Sequence, residues 1–589
     1  MSWWRDLFLA AVLASSLGMA STMAAADPAR PRSDAADDAA AGEKTEPTRA
    51  EMCEPVVAQK LGKLTLRGRI GQMIMASAVD GADPEATQAL IRQHNVGSIL
   101  ITEQNSVPGT RRFNARLQRW AAAGNGGPLL IAADLEFGLA HKVHGTTVLP
   151  LQMGLGATRS PTDAATAARI TAREARALGF HWALAPVADV NTNPENPVIG
   201  VRSFSSRRAL VAQLTAAQVR TYESEGVIAT PKHFPGHGST EVDSHTGLPV
   251  ELYDRAALQR IHLAPFEAAI EAGVDTIMTA HVVLRAIDPF LPATLSPTVL
   301  TDLLREEMGY DGVIVTDAMN MAAVADRWGT ARGTVLAAVA GADVIMSVGT
   351  NADHVETIEE LTAAVASGEL DRRRVGASAR RVLELKCLYG LIGPASAPPI
   401  DRAVVGSSEH AAAAGDLALR SITLVKNASG LPLGGDAEDT ILVTGPLEAD
   451  EIGGHIARLS RADVTTAETS EDPTAAEITR AADLATTADH IIVTTFTRDD
   501  ISYSHAALVD ALTRSGKPVT VVALGLPYDI RAFPGVDAYL TTYAQGPWPY
   551  PNPLVIEALA EVLLGAQPGG RLPVQIGDLY PYGHGLGYD

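Results

Sequence analysis

The sequence predicts an α/β protein: a (β/α)8 barrel of the TIM type, followed by a smaller α/β sandwich domain. Three observations predict this. Eight short apolar runs alternate with helical stretches, a second strand–helix series follows a Pro-containing stretch, and polar residues end many of the apolar runs. Continuous apolar strands separated by helices favour a parallel sheet covered on both faces. Eight such units are typical of a barrel, and an open doubly wound sheet is the alternative.

The N-terminus has the pattern of a secretory signal peptide, predicted over residues 1–26. Arg5 supplies the positive charge, and the apolar run Leu7–Ala20 is shorter than the roughly 20 residues that span a membrane. The small residues Ala24–Ala26 offer a cleavage site, although an uncleaved anchor is the alternative. The sequence therefore predicts a secreted or cell-envelope protein with no stable membrane insertion after cleavage.

A flexible leader is predicted over 27–55, because this segment is rich in Ala, Asp, Pro and Arg. The barrel is predicted over 56–392. Its β-rich runs are Met73–Val79, Gly97–Ile101, Leu129–Asp134, Trp182–Val187, Val227–His233, Thr276–His281, Gly312–Asp317 and Val344–Val348. Amphipathic helical stretches between them include Asp163–Leu178, Arg207–Glu225 and Arg255–Ala272.

A linker is predicted over 393–405, and a C-terminal α/β sandwich domain over 406–589. Its candidate strands are Ser421–Lys426, Thr440–Thr444, Ile491–Phe496, Val519–Leu524 and Tyr539–Thr542. Helical runs such as Ala475–Thr486 and Ser504–Ser515 separate them. The ends of these strands lack clustered titratable residues, so no chemistry is assigned to this domain.

Charge limits the partners that the protein can have. The 589 residues carry a formal net charge of −21, which argues against nucleic acid because phosphates would be repelled. The two cysteines, Cys53 and Cys387, lack the spacing of metal ligands.

Ionisable residues follow many of the barrel runs. Active sites of barrels lie at the C-terminal ends of the strands, so this group is a candidate for catalysis. Its members are Asp134, Glu136, Asp189, Arg202, Lys232, His233, His237, Asp243, His245, His281 and Asp317. Taken individually, Asp317 could instead be a helix cap, and Arg202 could instead form an ion pair on the surface. Glu136 and His281 are expected to be structural, His281 as a pocket wall or core partner.

The most specific segment is KHFPGHGSTEVDSHTGLP, Lys232–Pro249, in which a turn-rich loop directly follows a strand. Its Asp–Ser–His triplet, Asp243 to His245, places a carboxylate near an imidazole, where it can fix the ring's tautomer. A zinc site built from His237, Asp243 and His245 is the alternative.

The segment resembles the signature of the N-acetylglucosaminidase branch of glycoside hydrolase family 3. Three other stretches resemble that family's nucleophile region, its sugar-binding loop and the start of its C-terminal domain. These are DGVIVTDAMNMAAV (Asp311–Val324), NPVIGVRSFS (Asn196–Ser205) and LRSITLVKN (Leu419–Asn427). The resemblance runs from about residue 60 to the end of the chain.

The resemblance implies a retaining β-N-acetylglucosaminidase that acts on terminal non-reducing β-linked N-acetylglucosamine and needs no cofactor or metal. Asp317 would be the nucleophile, and Asp243 with His245 the acid/base pair. The residues implied to bind the sugar are Asp134, Arg202, Lys232 and His233, with Asp189 and His281 lining the same pocket. An imidazole suits proton donation and acceptance, because histidine ordinarily titrates near pH 6.5.

One stretch departs from the family pattern. Where the family has Asp, any residue and Glu-Gly-Gly, this chain has Asp134–Gly138, with Phe137 in place of a glycine. The basic residues that follow are His141 and Lys142. The departure concerns the shape of the site and the substrate preference that follows from it.

Three other functions remain as alternatives. A β-glucosidase of the same family would normally lack the Asp–Ser–His triplet. A phosphorylase is compatible with an imidazole base, which does not repel phosphate. A noncatalytic carbohydrate-binding protein would not need Asp317, Asp243 and His245 together.

A bridge between Cys53 and Cys387 is a further hypothesis. Cys53 lies just before the barrel, and Cys387 lies in the helical stretch Arg372–Leu388, which would be its last helix. A closed barrel brings its first and last units side by side, and export supplies an oxidising compartment. Two buried, unpaired thiols are the alternative.

Overall fold

The computed structural model describes residues 49–394, 397–497, 501–545 and 552–588. The predicted signal peptide, 1–26, lies outside the described residues, as does most of the predicted leader. Among the helices that are described, none combines the length and apolar character needed to cross a membrane.

The first domain contains short strands. In chain order they are β1 (Ile74–Ala78), β2 (Ser98–Ile101), β3 (Asn105–Ser106), β4 (Leu130–Ala133), β5 (Val143–His144), β6 (Trp182–Ala183), β7 (Val250–Glu251), β8 (Thr276–Met278), β9 (Val283–Leu284), β10 (Val313–Val315) and β11 (Ile345–Ser347). The parallel order β11–β1–β2–β4–β6 forms one sheet, and β8 pairs with β10 in parallel. Seven of the eight predicted runs thus contain a strand.

The fifth predicted run, Val227–His233, is not a regular strand. It makes single parallel bridges instead, from Ile228 to Trp182 and from Lys232 to Val187. Pro231 lies between them, and a proline has no N–H to donate to a continuous ladder. Further single bridges join Phe234 to Thr279 and Val315 to Val344.

Both faces of the parallel strands are buried, which explains their continuous apolar sequence. Met75, Leu100 and Leu130 belong to one cluster of buried side chains, and the alternating neighbours Ile74 and Ile99 belong to another. Since side chains alternate along a strand, a run buried on both faces has no charged positions, and its few polar residues, such as Ser98 and Thr276, are small and uncharged. The first charged residue after such a run therefore indicates that the strand has ended.

Helices connect these strands. They are α1 (Arg49–Lys63), α2 (Leu66–Gln72), α3 (Pro84–His94), α4 (Val107–Ala122), α5 (Gln152–Thr158), α6 (Pro161–Ala177), α7 (Arg208–Ser224), α8 (Arg255–Leu258), α9 (Ala264–Glu271), α10 (Ala322–Trp328), α11 (Thr330–Ala340), α12 (Asn351–Ser367) and α13 (Arg372–Leu388). Two stretches, Gln259–Leu263 and Thr298–Glu307, are π-helical. Short 3-10 turns lie at Leu139–His141, Gly200–Arg202 and Ala293–Leu295.

Helix α1 corrects one prediction, because it begins at Arg49, inside the segment 27–55 that was expected to be unfolded. The end of that segment is ordered by packing: Cys53 and Val57 are buried in a cluster that includes Leu383 of α13. The burial of these side chains offsets the conformational entropy that is lost when the helix becomes ordered. A polar, Ala-rich segment without such contacts would remain unfolded.

A disulfide joins the two cysteines, as one of the two hypotheses predicted. Cys53 on α1 and Cys387 on α13 are bonded, with their Cα atoms 5.8 Å apart and 334 residues between them in sequence. Both residues are buried. The bond therefore fastens the first helix of the domain to its last.

Removing this bond should lower the free energy of unfolding by about 2–5 kcal/mol, because the unfolded chain regains conformations that the cross-link excludes. The variant is Cys53→Ala/Cys387→Ala, compared with the wild type by thermal or denaturant unfolding. A reducing agent should destabilise the wild type but leave the double variant unchanged. Two separate thiol peptides in a nonreduced digest, with no linked species, would contradict the bridge.

The C-terminal domain is built on a single sheet. Its strands are β12 (Thr423–Asn427), β13 (Thr440–Pro446), β14 (Asp463–Thr469), β15 (His490–Thr495), β16 (Val519–Ala523) and β17 (Ala538–Thr541), in the order β12–β17–β16–β15–β13–β14. The helices are α14 (Ser408–Ser421), α15 (Ala449–Leu459), α16 (Ala475–Ala485), α17 (Tyr503–Thr513) and α18 (Pro553–Leu563). All pairs are parallel except β12 with β17.

Helices cover both faces of this sheet, as the prediction of an α/β sandwich requires. Val493 and Val521 pack with residues of α16 and α17, whereas Ile492 and Val522 pack with residues of α15 and α18. Strand β14 was missed because its sequence, DVTTAET, is polar. It is an edge strand with mostly exposed or half-buried side chains, so burial leaves no mark on its composition.

Candidate active site

A cavity of about 610 Å³ opens where the parallel strands of the first domain end. Its polar lining residues are Thr102, Asp134, Glu136, His141, Lys142, Arg202, Lys232, His233, Asp243, His245, Asp317 and Asn320. Seven of the nine residues assigned from sequence to the catalytic or sugar-binding group therefore share one cavity. The two others, Asp189 and His281, lie behind its wall.

Asp317 lies two residues after β10 and lines the cavity. One of its carboxylate oxygens accepts a hydrogen bond of 2.7 Å from the backbone N–H of Ala318. Burial by itself raises the pKa of this carboxyl. The electrostatic influence of His233 and His281 outweighs burial, so the pKa lies below its usual range. Asp317 is therefore a half-buried, ionised carboxylate at neutral pH.

A compact group of charges forms another wall. Arg202 donates two hydrogen bonds to Glu136, Nε to Oε2 at 2.9 Å and Nη2 to Oε1 at 2.8 Å. Lys232 donates to Asp134 at 2.7 Å and lies 2.8 Å from Glu136. The bidentate geometry is the one that an arginine fork makes best with a carboxylate.

One alternative interpretation of these residues is wrong. Arg202 is not in a surface ion pair, because only 11% of its side chain is exposed, against 4% for Glu136. Glu136 was expected to be structural rather than catalytic, and its ion pairs with both cations agree with that expectation, although it also lines the cavity. Burial raises its pKa, but Arg202 and Lys232 together hold the pKa well below the usual value. Removing either cation would leave the buried carboxylate of Glu136 with one partner in place of two, which is costly.

His233 faces the cavity and is held from behind by Asp189. Its Nδ1 lies 2.7 Å from Oδ2 of Asp189, and its Nε2 lies 4.0 Å from Oδ2 of Asp317. Asp189 is completely buried and also accepts a 2.6 Å hydrogen bond from the backbone N–H of His237. The expectation that Asp189 lines the pocket is therefore wrong, since its carboxylate is used to orient His233 and the following turn.

His281 is also behind the wall. Nε2 donates to the carbonyl oxygen of Ala318 at 3.0 Å, and Nδ1 lies 2.8 Å from the hydroxyl of Thr294. Burial lowers its pKa, and the charge of Asp317 partly opposes this. The ring supports the backbone next to Asp317, so the expectation that it lines the pocket is wrong and the expectation of a core partner is confirmed.

The Asp–Ser–His triplet lies on the loop that follows Lys232. Nδ1 of His245 is 2.7 Å from Oδ1 of Asp243, and the same oxygen accepts a 2.8 Å bond from the backbone N–H of His245. A carboxylate only accepts, so Nδ1 carries a proton and Nε2 is the nitrogen that is available to a substrate. The His245 side chain is 59% exposed, unlike the other histidines of this segment.

The geometry of His237 does not support the zinc alternative. Its ring nitrogens are bonded to Thr240 and Ser244, so the ring does not converge with Asp243 and His245 on one point. Over the described residues, no three histidine, cysteine or acidic side chains are grouped as metal ligands would be.

The departure at Phe137 has a structural consequence. The Phe137 ring stacks on His141, with ring centres 4.6 Å apart, and packs against an apolar cluster that contains residues of both domains. Lys142, the next residue after His141, lines the cavity and donates to the carbonyl of Thr102 at 3.2 Å.

Two residues that line the cavity were not identified from the sequence. They are Asn320 and Met321, although they follow Asp317 closely in sequence.

Comparisons with known proteins agree with this architecture. The family model described as glycosyl hydrolase family 3 N terminal domain matches residues 65–385, and the model for the C-terminal domain of that family matches 422–588. "Beta-hexosaminidase A" of Pseudoalteromonas piscicida is 31% identical, over 85% of this chain and 92% of that protein.

Two further proteins are informative. A solved structure of a glycoside hydrolase family 3 beta-N-acetylglucosaminidase from a Paenibacillus species has a TM-score of 0.79 and 35% identity, covering 87% of this chain and 99% of its own. A protein of Arthroderma benhamiae described as an uncharacterized secreted glycosyl hydrolase is 31% identical, over 55% of this chain and 94% of its own length.

Proposed function

This chain belongs to glycoside hydrolase family 3 and is a glycosidase, and on that premise we propose that it is a retaining β-N-acetylglucosaminidase. It releases terminal, non-reducing, β-linked N-acetylglucosamine. The observation that carries the proposal is the hydrogen-bonded Asp243–His245 pair at the same cavity as the ionised Asp317. The names of two similar proteins, a β-hexosaminidase and a β-N-acetylglucosaminidase, support the choice of sugar.

In the first step Asp317 attacks the anomeric carbon. The glycosidic carbon–oxygen bond breaks, a carbon–oxygen bond to Asp317 forms, and the proton of the His245 imidazolium moves to the departing oxygen. The ionised state of Asp317 suits this role because only the carboxylate is nucleophilic. Asp243 stabilises the positive imidazolium before the proton leaves.

In the second step His245 accepts a proton from water as the water attacks the anomeric carbon. The bond to Asp317 breaks, the carboxylate is regenerated and the sugar leaves with its original anomeric configuration. One imidazole thus serves as acid and then as base, and no cofactor or metal enters either step.

The remaining residues bind and orient the sugar. Lys232 and Arg202 supply donors for hydroxyl groups, His233 supplies its ring nitrogen Nε2, and Asp134 supplies an acceptor whose side chain is 35% exposed. Asp189 and His281 act indirectly: Asp189 orients His233, and His281 supports the backbone beside Asp317.

We also propose that the parallel ladders and single bridges of the first domain close into a (β/α)8 barrel. This domain includes helix α1 and extends to residue 392, and the C-terminal domain covers 406–589. Export through the signal peptide 1–26 is a further part of the proposal. The oxidised pair Cys53–Cys387 and the similarity to a protein described as secreted support it.

A panel of nitrophenyl β-glycosides tests the proposed activity. The N-acetylglucosaminide should be hydrolysed much faster than the glucoside, and proton NMR should detect the β-anomer of the product first. Faster release from the glucoside would select a β-glucosidase. Running the reaction with and without phosphate serves as the control, since formation of the sugar 1-phosphate would select a phosphorylase.

A further inference from the structure

The exposed ring of His245 is not positioned by its neighbour alone. Asp243, its hydrogen-bond partner, lies two residues earlier on the same loop, so their contact fixes the ring relative to the loop and not relative to the cavity. The proton donor must lie within hydrogen-bond distance of the glycosidic oxygen, and a misplacement of about 1 Å in such a donor lowers the reaction rate strongly. Some other contact must therefore hold the loop in place.

Ser244, which lies between Asp243 and His245, makes contacts of this kind with residues outside the pair. The residue is 3% exposed, and its hydroxyl lies 3.1 Å from Nε2 of His237. Its carbonyl oxygen accepts a 3.2 Å hydrogen bond from the backbone N–H of Ala323. Ala323 is in the first turn of α10, six residues after Asp317. Ser244 thus ties the acid/base loop directly to the segment that carries the nucleophile.

His237 is itself fixed on the protein core. Its backbone N–H donates to Oδ1 of Asp189, whose other oxygen contacts His233, and His233 lies 4.0 Å from Asp317. A second connection therefore runs from the loop through Ser244 to the wall beside the nucleophile.

The direction of the serine hydrogen bond follows from the partners of His237. The hydroxyl of Thr240 donates to the carbonyl of His237, so Nδ1 carries the proton that Thr240 accepts. Nε2 is left as an acceptor for the Ser244 hydroxyl. Burial lowers the pKa of His237 to about 4, which keeps the ring in this neutral form at neutral pH.

We infer that Ser244 and His237 are a positioning pair, which holds the loop of Asp243 and His245 against the nucleophile segment so that His245 reaches the departing oxygen. The inference rests on the proposed function, because it assigns the loop an acid/base. Neither residue contacts the reacting atoms in this role. Their effect is confined to the steps in which His245 transfers a proton.

The test is a leaving-group series on Ser244→Ala, with Ser239→Ala as the matched control. Ser239 lies on the same loop, and its buried hydroxyl makes no hydrogen bond to any described residue. Ser244→Ala should lose about tenfold in kcat/KM on unactivated oligosaccharides, the effect of one positioning hydrogen bond, and much less on dinitrophenyl glycosides. Ser239→Ala should behave as the wild type on both substrates.

A second variant separates this role from a folding defect. His237→Phe keeps the ring and removes the acceptor, so it should reproduce the same dependence on the leaving group. Because the two residues act through one bond, the double variant should be no slower than the worse single variant. Equal losses on all substrates, or a Ser244→Ala variant indistinguishable from Ser239→Ala, would overturn the inference.

His245→Ala distinguishes this failure from failure of the proposed function. If His245→Ala shows the leaving-group dependence and Ser244→Ala does not, the positioning pair is wrong and the acid/base assignment stands. If the rate loss of His245→Ala does not depend on the leaving group, the acid/base assignment itself is wrong, and the inferred positioning pair is then wrong as well.

Discussion

Asp317→Ala should reduce turnover by a factor on the order of 10⁴ or more, because no covalent intermediate can form without the carboxylate. The structure favours this residue over the other acidic side chains of the cavity. Asp317 is held ionised, whereas Glu136 has both oxygens occupied by Arg202 and one also by Lys232. The measurement is kcat on nitrophenyl N-acetylglucosaminide, with the thermal unfolding temperature recorded for each variant.

Asp311→Ala is the matched control, since this exposed aspartate lies just before the same strand and outside the cavity. It should retain the activity of the wild type. A fluorosugar that traps the glycosyl-enzyme should label the peptide containing Asp317. A label on Glu136 instead would show that the nucleophile is assigned to the wrong residue.

His245→Ala should slow natural oligosaccharides by roughly 10²–10⁴-fold while slowing activated aryl glycosides far less. An activated aryl oxide leaves with little protonation, so it scarcely needs the acid. Rates on chitobiose and on dinitrophenyl N-acetylglucosaminide, measured side by side, give the comparison. Asp243→Asn should also lower activity, since an amide neither orients the Nδ1–H as well nor stabilises the imidazolium.

Glu241→Ala is a suitable control for this pair, because its exposed carboxylate belongs to the same loop and does not line the cavity. It should leave both rates unchanged. Equal losses for His245→Ala on natural and activated substrates would refute the role of His245 as the acid.

Sequence predicted the site best where chemistry and position coincide. Lys232 and Asp317 are polar residues that directly follow apolar runs, and the alternation of helices and strands brings such ends to one edge. The pattern of strands and helices does not predict the direction in which a side chain beyond the end of a strand points. Asp189 and His281 were therefore placed in the wall, whereas their partners, His233 and the carbonyl of Ala318, turn them away from the cavity.

Long-range pairing was the other limit. The partners of Glu136 could not be predicted, because nothing in the sequence indicates that Arg202, 66 residues later, would pair with it. The same holds for Ser244, whose neighbours Asp243 and His245 have an obvious chemistry of their own. Its contacts with His237 and Ala323 depend on how the loop folds back, and no local sequence pattern predicts this fold of the loop.

The bond between helices α1 and α13 makes the first domain a covalent ring. Everything from Cys53 to Cys387, including Lys232, His245 and Asp317, lies on that ring. A protease that cuts once within it opens the ring but releases no fragment, because both new ends remain attached through the cysteines. A single cut in a surface loop would therefore leave the catalytic groups on one molecule, which is an advantage in the extracellular setting that the proposed export implies.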